Sequence, residues 1–113
     1  MHELPVTEGI LRIAREHAAK AGAKRIVAIH LRIGDMAGFI NDSIQFYIDM
    51  LTPGTIAEGV TLHFHRVSTR FQCWECDLEF EPEGKDWRCP HCGANGGKVI
   101  AGKEFFVESI EIE

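Results

Sequence analysis

Two closely spaced pairs of cysteines constrain this chain more than any other feature. Cys73 and Cys76 form one C-x-x-C pair, twelve residues intervene, and Cys89 and Cys92 form the second pair. In each pair a short turn directs two thiolates at one cation, and two such turns supply the four ligands of a tetrahedral site. The spacing therefore predicts one zinc ion with four cysteine ligands. Because no coordination position is left open, we expect this zinc to be structural.

Composition limits the size and the partners of the protein. A chain of 113 residues that is 45% hydrophobic is long enough for one main core and a small metal-stabilised lobe. Its 12 basic and 17 acidic residues give a net charge of -5, which disfavours binding to nucleic acid. We see no secretory signal and no apolar run near the roughly 20 residues that span a bilayer. We therefore expect a cytoplasmic protein, in which paired cysteines favour metal over the alternative of two disulfides.

Hydrophobic periodicity predicts two helices and three strands around this metal site. Apolar residues recur at helical spacing in 4–22, and again after the N-cap cluster that starts at Asn41. Apolar and polar residues alternate in 26–33 and in 60–67, which is typical of half-buried strands. The end of the chain, 104–113, repeats this alternation and predicts a third strand that returns to the first sheet.

The segment 70–98 holds all four cysteines and few aliphatic residues, so it needs its metal to fold. Trp74 and Trp87 are expected to cover its small interior. We predict an α+β fold with two helices packed on a small three-stranded, mostly antiparallel sheet, and with an inserted four-cysteine lobe that is similar to a zinc ribbon. The predicted tethers of the lobe are 68–70 and 96–103. The predicted domains are an α+β domain, 1–69 plus 99–113, and a zinc-binding domain, 70–98.

The first three residues, Met1-His2-Glu3, carry a second chemical feature. An initiator methionine is removed only before a small residue, so His2 should leave Met1 in place with a free α-amine. An amine, backbone amide nitrogens and an imidazole then lie within one short peptide, a set that suits square-planar nickel(II) or copper(II). Since early histidines are common, this pattern alone favours an ordinary chain terminus.

The chain resembles the HypA/HybF family, the nickel-insertion proteins of nickel-iron hydrogenase maturation. The resemblance covers essentially the whole chain in the same order. It rests on the two cysteine pairs and on Met1-His2-Glu3-Leu4, Ile33-Gly34, Gly54-Thr55 followed by Glu58-Gly59, and the ending Ser109-Ile110-Glu111-Ile112-Glu113.

This resemblance implies a nickel metallochaperone and not an enzyme. It makes His2 the essential nickel ligand, completed by the Met1 amine and the backbone nitrogens of His2 and Glu3, and it makes Cys73, Cys76, Cys89 and Cys92 the zinc ligands. It further implies that a GTPase maturation factor supplies nickel, and that the large subunit of nickel-iron hydrogenase receives it. The Glu3 carboxylate would support the site from outside the ligand shell. We expect a monomer or a weak homodimer.

Other functions remain open from the residues alone. A four-cysteine ribbon also occurs in interaction and nucleic-acid-binding modules, but acidic residues surround these cysteines: Glu75, Asp77, Glu79, Glu81 and Glu83. These acidic side chains form either a docking surface or an ordinary solvated face. A rubredoxin-like iron carrier has the same cysteine spacing, whereas a zinc hydrolase would need an open ligand position.

The remaining histidines allow two interpretations. His63 and His65 share one face of a predicted strand and form either a second metal site or an ordinary half-exposed sheet face, which we favour. We interpret His30, on the neighbouring predicted strand, as structural.

Overall fold

A computed structural model of the chain describes residues 3–39, 41–83 and 86–113. The regular elements follow in the order α1 Glu3–Lys20, β1 Ile26–Gly34, a 3-10 turn Asp35–Ala37, α2 Asn41–Leu51, β2 Thr61–Val67, β3 Arg70–Cys73, β4 Glu79–Phe80, β5 Gly97–Ala101 and β6 Phe105–Ile112. None of the helices in this described part combines the length and hydropathy that crossing a membrane requires.

The strands form two three-stranded sheets with the orders β2-β1-β6 and β4-β3-β5. Backbone bonds join Gly34 to Glu104 at one end of β1 and Glu113 to Arg25 at the other, so β1 and β6 run antiparallel. The second sheet lies between β2 and β6 in sequence. The predicted α+β fold with an inserted cysteine-rich lobe is therefore confirmed.

The core of the α+β part combines the apolar faces of its helices and strands. Buried residues recur on α1 and α2, as the helical spacing predicts, and alternate on β2 around Leu62. On β1 the alternation is incomplete, because Ile26 and Ala28 are buried along with Ile29. The expectation that only one face of β1 is buried is wrong at the N-terminal end of the strand. Here the Ile26 N–H donates to the Ile56 carbonyl, which brings the turn before β2 onto the strand.

The lobe is built on β3, the central strand of the second sheet. Its partner β5 pairs Arg70 with Ala101 and Cys73 with Gly97. The second predicted tether, 96–103, is thus largely a paired strand, whereas Ser68 and Thr69 of the first lie between β2 and β3. The lobe interior is a cluster of Phe71, Cys73, Phe80 and Cys89. Trp87 packs edge-on against Phe71, with ring centroids 5.4 Å apart, but Trp74 is 66% exposed and does not cover the interior.

Contacts between residues divide the chain into two compact units. One comprises the described residues within Met1–Arg32, Phe39–His65 and Phe105–Glu113, and the other comprises those within Ile33–Gly38 and Arg66–Glu104. The domain boundaries at 69/70 and 98/99 stay a prediction.

Candidate metal centre

The two cysteine pairs lie on turns that have the same backbone geometry. The Asp77 N–H donates to the Cys73 carbonyl at 3.1 Å, and the Gly93 N–H donates to the Cys89 carbonyl at 2.8 Å. Each turn ends in the left-handed region, with φ 62° at Asp77 and 79° at Gly93. This conformation suits glycine and is tolerated by aspartate. The spacing C-x-x-C therefore closes into two equivalent metal-binding turns.

Each turn also directs a backbone N–H at the sulfur of its first cysteine. The Glu75 N–H lies 3.4 Å from the Cys73 Sγ, and the His91 N–H lies 3.4 Å from the Cys89 Sγ. Such donors stabilise negative charge on sulfur and orient its lone pairs. The turns are thus suited to thiolates and not only to neutral thiols.

The four sulfur atoms converge on one point. Sγ of Cys73 lies 3.5 Å from that of Cys92, and Sγ of Cys76 lies 3.6 Å from that of Cys89. All four lie within 4.8 Å of one another. A tetrahedral zinc ion with bonds of about 2.3 Å places its sulfur ligands about 3.8 Å apart. A disulfide bond needs a distance of about 2.05 Å between its two sulfur atoms, and these sulfurs lie farther apart, so the four cysteines are free. Their geometry fits one tetrahedral cation such as zinc.

Electrostatics show why this cluster needs a cation. Backbone N–H groups of Cys76 and Glu75 lower the pKa of the Cys73 thiol to about 7. Although the Leu78 N–H favours a thiolate at Cys76, burial and the neighbouring Cys89 raise the pKa of Cys76 to about 12. At Cys92 the Ala94 N–H likewise favours the thiolate, but contact with Cys73 and burial raise the pKa of the Cys92 thiol. Neighbouring thiols thus resist ionising together, and a divalent cation removes this repulsion.

The lobe core supports two of the four sulfurs directly. Cys73 and Cys89 are 1% and 2% exposed, while Cys92 is exposed at the surface. Phe71 and Phe80 pack edge to face beside the buried pair, with ring centroids 5.6 Å apart. The metal centre and the apolar interior of the lobe are therefore one structure, which suits a structural ion.

The second predicted site lies mostly outside the described residues. Met1 and His2 belong to this undescribed part. Glu3 is described: it is the first residue of α1, it is 7% exposed, and its carbonyl accepts a 2.6 Å bond from Thr7 Oγ1. The sequence did not indicate this burial. The nickel site at Met1, His2 and Glu3 stays a prediction.

Comparisons with known proteins agree along the whole chain. The family model for hydrogenase/urease nickel incorporation, metallochaperone, hypA, matches residues 1–112. The hydrogenase maturation factor HypA of Caldanaerobacter subterraneus subsp. tengcongensis is 40% identical over 114 residues, covering all of both chains. The hydrogenase maturation factor HypA of Geobacter metallireducens is 37% identical over 113 residues, again covering all of both chains.

Solved structures show the same fold. A solution structure of HypA protein matches with a TM-score of 0.75 and 21% identity, over 100% of this chain and 97% of that one. The solution structure of the nickel metallochaperone HypA from Helicobacter pylori matches with a TM-score of 0.67 and 22% identity, over 99% and 97%. At these identities the likeness supports the fold alone.

The described α+β fold and the four clustered cysteines define a small protein with a site that could hold a metal ion. The whole-length matches make the assignment specific. The chain belongs to the HypA family of nickel metallochaperones, which serve nickel incorporation during hydrogenase and urease maturation. The resemblance noted in the sequence is confirmed.

Proposed function

We propose that this chain carries one nickel(II) ion at its N-terminus and helps deliver it to the large subunit of nickel-iron hydrogenase. The ligands are the Met1 amine, the His2 imidazole, and the backbone nitrogens of His2 and Glu3. Family membership over the whole chain is the observation that carries this proposal. Four nitrogen donors on one short peptide suit the square-planar geometry of nickel(II).

The start of α1 supports this ligand set. The first N–H groups of a helix have no acceptor within the helix, so the Glu3 N–H can lose its proton and bind a metal through nitrogen without breaking a helical hydrogen bond. Nickel can therefore load and leave by ligand exchange while α1 stays intact, which is what a carrier requires.

In this proposal, Cys73, Cys76, Cys89 and Cys92 hold a structural zinc ion. Four thiolates saturate a tetrahedral site, so the zinc lobe takes no direct part in nickel transfer. The exposed acidic side chains Glu75, Asp77 and Glu79 give the lobe a negative surface for docking. We assign the GTPase maturation factor that supplies nickel as a binding partner of this protein.

The proposed setting follows from this role. Nickel arrives from the GTPase and leaves for the immature hydrogenase large subunit, both in the cytoplasm. The carrier works as a monomer or weak homodimer, because the ligands in the proposed nickel site all come from one chain.

Replacement of His2 tests the proposal. We expect His2→Ala to lose tight nickel binding and to stop transfer of radioactive nickel to the purified apo large subunit, while zinc remains at one ion per chain. His17→Ala is the matched control, because His17 is an exposed histidine in the last turn of α1. A His2→Ala protein that transfers nickel at the wild-type rate would refute the nickel site.

A further inference from the structure

Four side chains meet on the polar side of the first sheet, with His30 of β1 at their centre. His30 Nδ1 lies 3.0 Å from Nε2 of His65 on β2, and His30 Nε2 lies 2.7 Å from Oε2 of Glu111 on β6. The ring of His63, also on β2, stacks on His30 with centroids 4.5 Å apart and planes 10° apart. Three strands thus contribute to one cluster, although His30 and Glu111 are 81 positions apart in sequence.

This cluster contains the donors of a metal site. One ligand atom each from His30, His63 and Glu111 lie within 4.8 Å of one another. Two imidazoles and one carboxylate suit borderline divalent cations such as nickel(II) and zinc(II). Two ligand atoms that are each about 2.1 Å from a metal lie about 3.0 Å apart when the ligand–metal–ligand angle is a right angle. They lie about 3.4 Å apart when that angle is tetrahedral.

The spacing of His30 and Glu111 needs little adjustment to admit a cation, but the His63 ring lies parallel to the His30 ring and must rotate to direct a nitrogen at the same ion. The 2.7 Å separation of His30 Nε2 and Glu111 Oε2 is close to the right-angle value, and the Glu111 side chain is 59% exposed and free to adjust. His63 is also exposed. Arg32, which also lies on β1, donates to Glu108 at 2.6 Å, so its charge is already compensated.

His65 completes the site from the other side of the His30 ring. The two bonds fit a metal-free tautomer in which Nε2–H of His30 donates to Glu111 and Nδ1 of His30 accepts from Nε2–H of His65. A cation at His30 Nε2 would require the other tautomer of each ring, in which Nδ1–H of His30 donates to Nε2 of His65 and His65 carries its own proton on Nδ1. Metal-bound histidines usually donate their second nitrogen in this way.

We propose that His30, His63 and Glu111 form a second metal site for a borderline divalent transition cation, with His65 as the residue that positions His30. The site is distinct from the four cysteines and does not rest on the proposed N-terminal site. Three protein ligands on an open sheet face leave positions for water, so the bound cation exchanges readily.

Nickel titration of the zinc-loaded chain with four extra residues, Gly-Ser-Gly-Ser, before Met1 tests this proposal. The extension removes the native α-amine from His2, so a result here does not depend on the N-terminal site. Water-bound nickel(II) of higher coordination is paramagnetic, unlike square-planar nickel(II). We expect one nickel per chain to broaden the ring NMR signals of His30, His63 and His65 before those of His17 and His91.

Variants of the extended chain identify the ligands. His63→Ala and the isosteric Glu111→Gln should each weaken nickel binding by at least about a hundredfold, and His65→Ala by roughly 10- to 100-fold. His17→Ala is the control and should bind nickel as the unsubstituted extended chain does. Unchanged affinity in both His63→Ala and Glu111→Gln, or earlier broadening of His17 or His91, would overturn the proposal.

Discussion

The Sγ atoms of Cys73 and Cys92 lie 3.5 Å apart, although the two residues are 19 positions apart in sequence. Cys73 ends β3, and the pairing of Cys73 with Gly97 brings the chain that follows the second cysteine pair back beside the first. The strand pairing and the sulfur cluster therefore depend on each other. Removing the metal should loosen both.

Cys92→Ser should lower zinc content well below one ion per chain and make residues 70–98 sensitive to protease. Structural zinc contributes about 10–16 kcal/mol of apparent binding free energy in zinc-finger peptides, and most of the lobe's stability depends on it. Metal analysis with limited proteolysis and mass spectrometry measures both effects.

The control for this change is His91→Ala, in the same turn. The backbone N–H of His91, and not its ring, contacts Cys89. We expect His91→Ala to retain zinc and protease resistance. Stoichiometric zinc in a protease-resistant Cys92→Ser protein would contradict the four-thiolate site.

Two glycines should respond in opposite directions to alanine. A Cβ at Gly34 would overlap the Gly102 carbonyl and lie 2.7 Å from the Lys103 nitrogen, so backbone must move. We expect Gly34→Ala to lower the free energy of unfolding by about 1–3 kcal/mol. Gly9 lies within α1, and a Cβ there meets nothing within 4 Å. Gly9→Ala should raise the free energy of unfolding by up to about 1 kcal/mol.

Urea unfolding of the zinc-loaded proteins measures these changes. Gly9→Ala serves as the matched control, because it adds the same methyl group at a site that has space for it. Equal stability of the two variants would show that β1 and the segment around Gly102 are not as close as the structure places them.

The ion pair of Arg32 and Glu108 should make stability depend on acid pH. The Arg32 Nε–H bond to Glu108 lowers the pKa of this carboxyl below its ordinary value of about 4.3. A lowered native pKa contributes stability that is complete above the unfolded pKa and is lost as pH falls through the native pKa. The difference in unfolding free energy between wild type and Glu108→Gln should therefore shrink below about pH 4.3.

Urea unfolding from pH 6 to pH 3 measures this difference, and protonation of the zinc ligands cancels because it affects both proteins. Glu16→Gln is the control, since Glu16 is exposed on α1. The difference in unfolding free energy between Glu16→Gln and wild type should stay constant over this pH range. A Glu108→Gln difference that is equally constant would show that the ion pair adds no pH-dependent stability.

Local patterns predicted much of this protein. The alternation of β2 and the two C-x-x-C turns depend on neighbouring residues, so the strand and the clustered sulfurs followed directly from sequence. The glycines around Gly97 suggested a tether, whereas the structure forms β5 there. A Cβ at Gly97 would overlap the Gln72 carbonyl, so this glycine is needed for close strand approach and not for flexibility.

Long-range contacts were harder to predict. The partner of His30, Glu111, comes from the far end of the chain, and periodicity does not give strand register. The predicted apolar face of β6 is only partly correct, because Phe106 and Ile112 are 46% and 39% exposed. Burial of Glu3 likewise depends on how α1 packs, which its sequence does not show.

The most direct test of the nickel-carrier account is a nickel titration of the untagged chain beside a chain with the four residues Gly-Ser-Gly-Ser added before Met1. The d–d absorption band of square-planar nickel(II) is the readout. The account predicts a saturating band at one nickel per chain for the native terminus and no such band for the extended terminus. Equal bands in both proteins, or no band in either, would contradict the proposed site at Met1, His2 and Glu3.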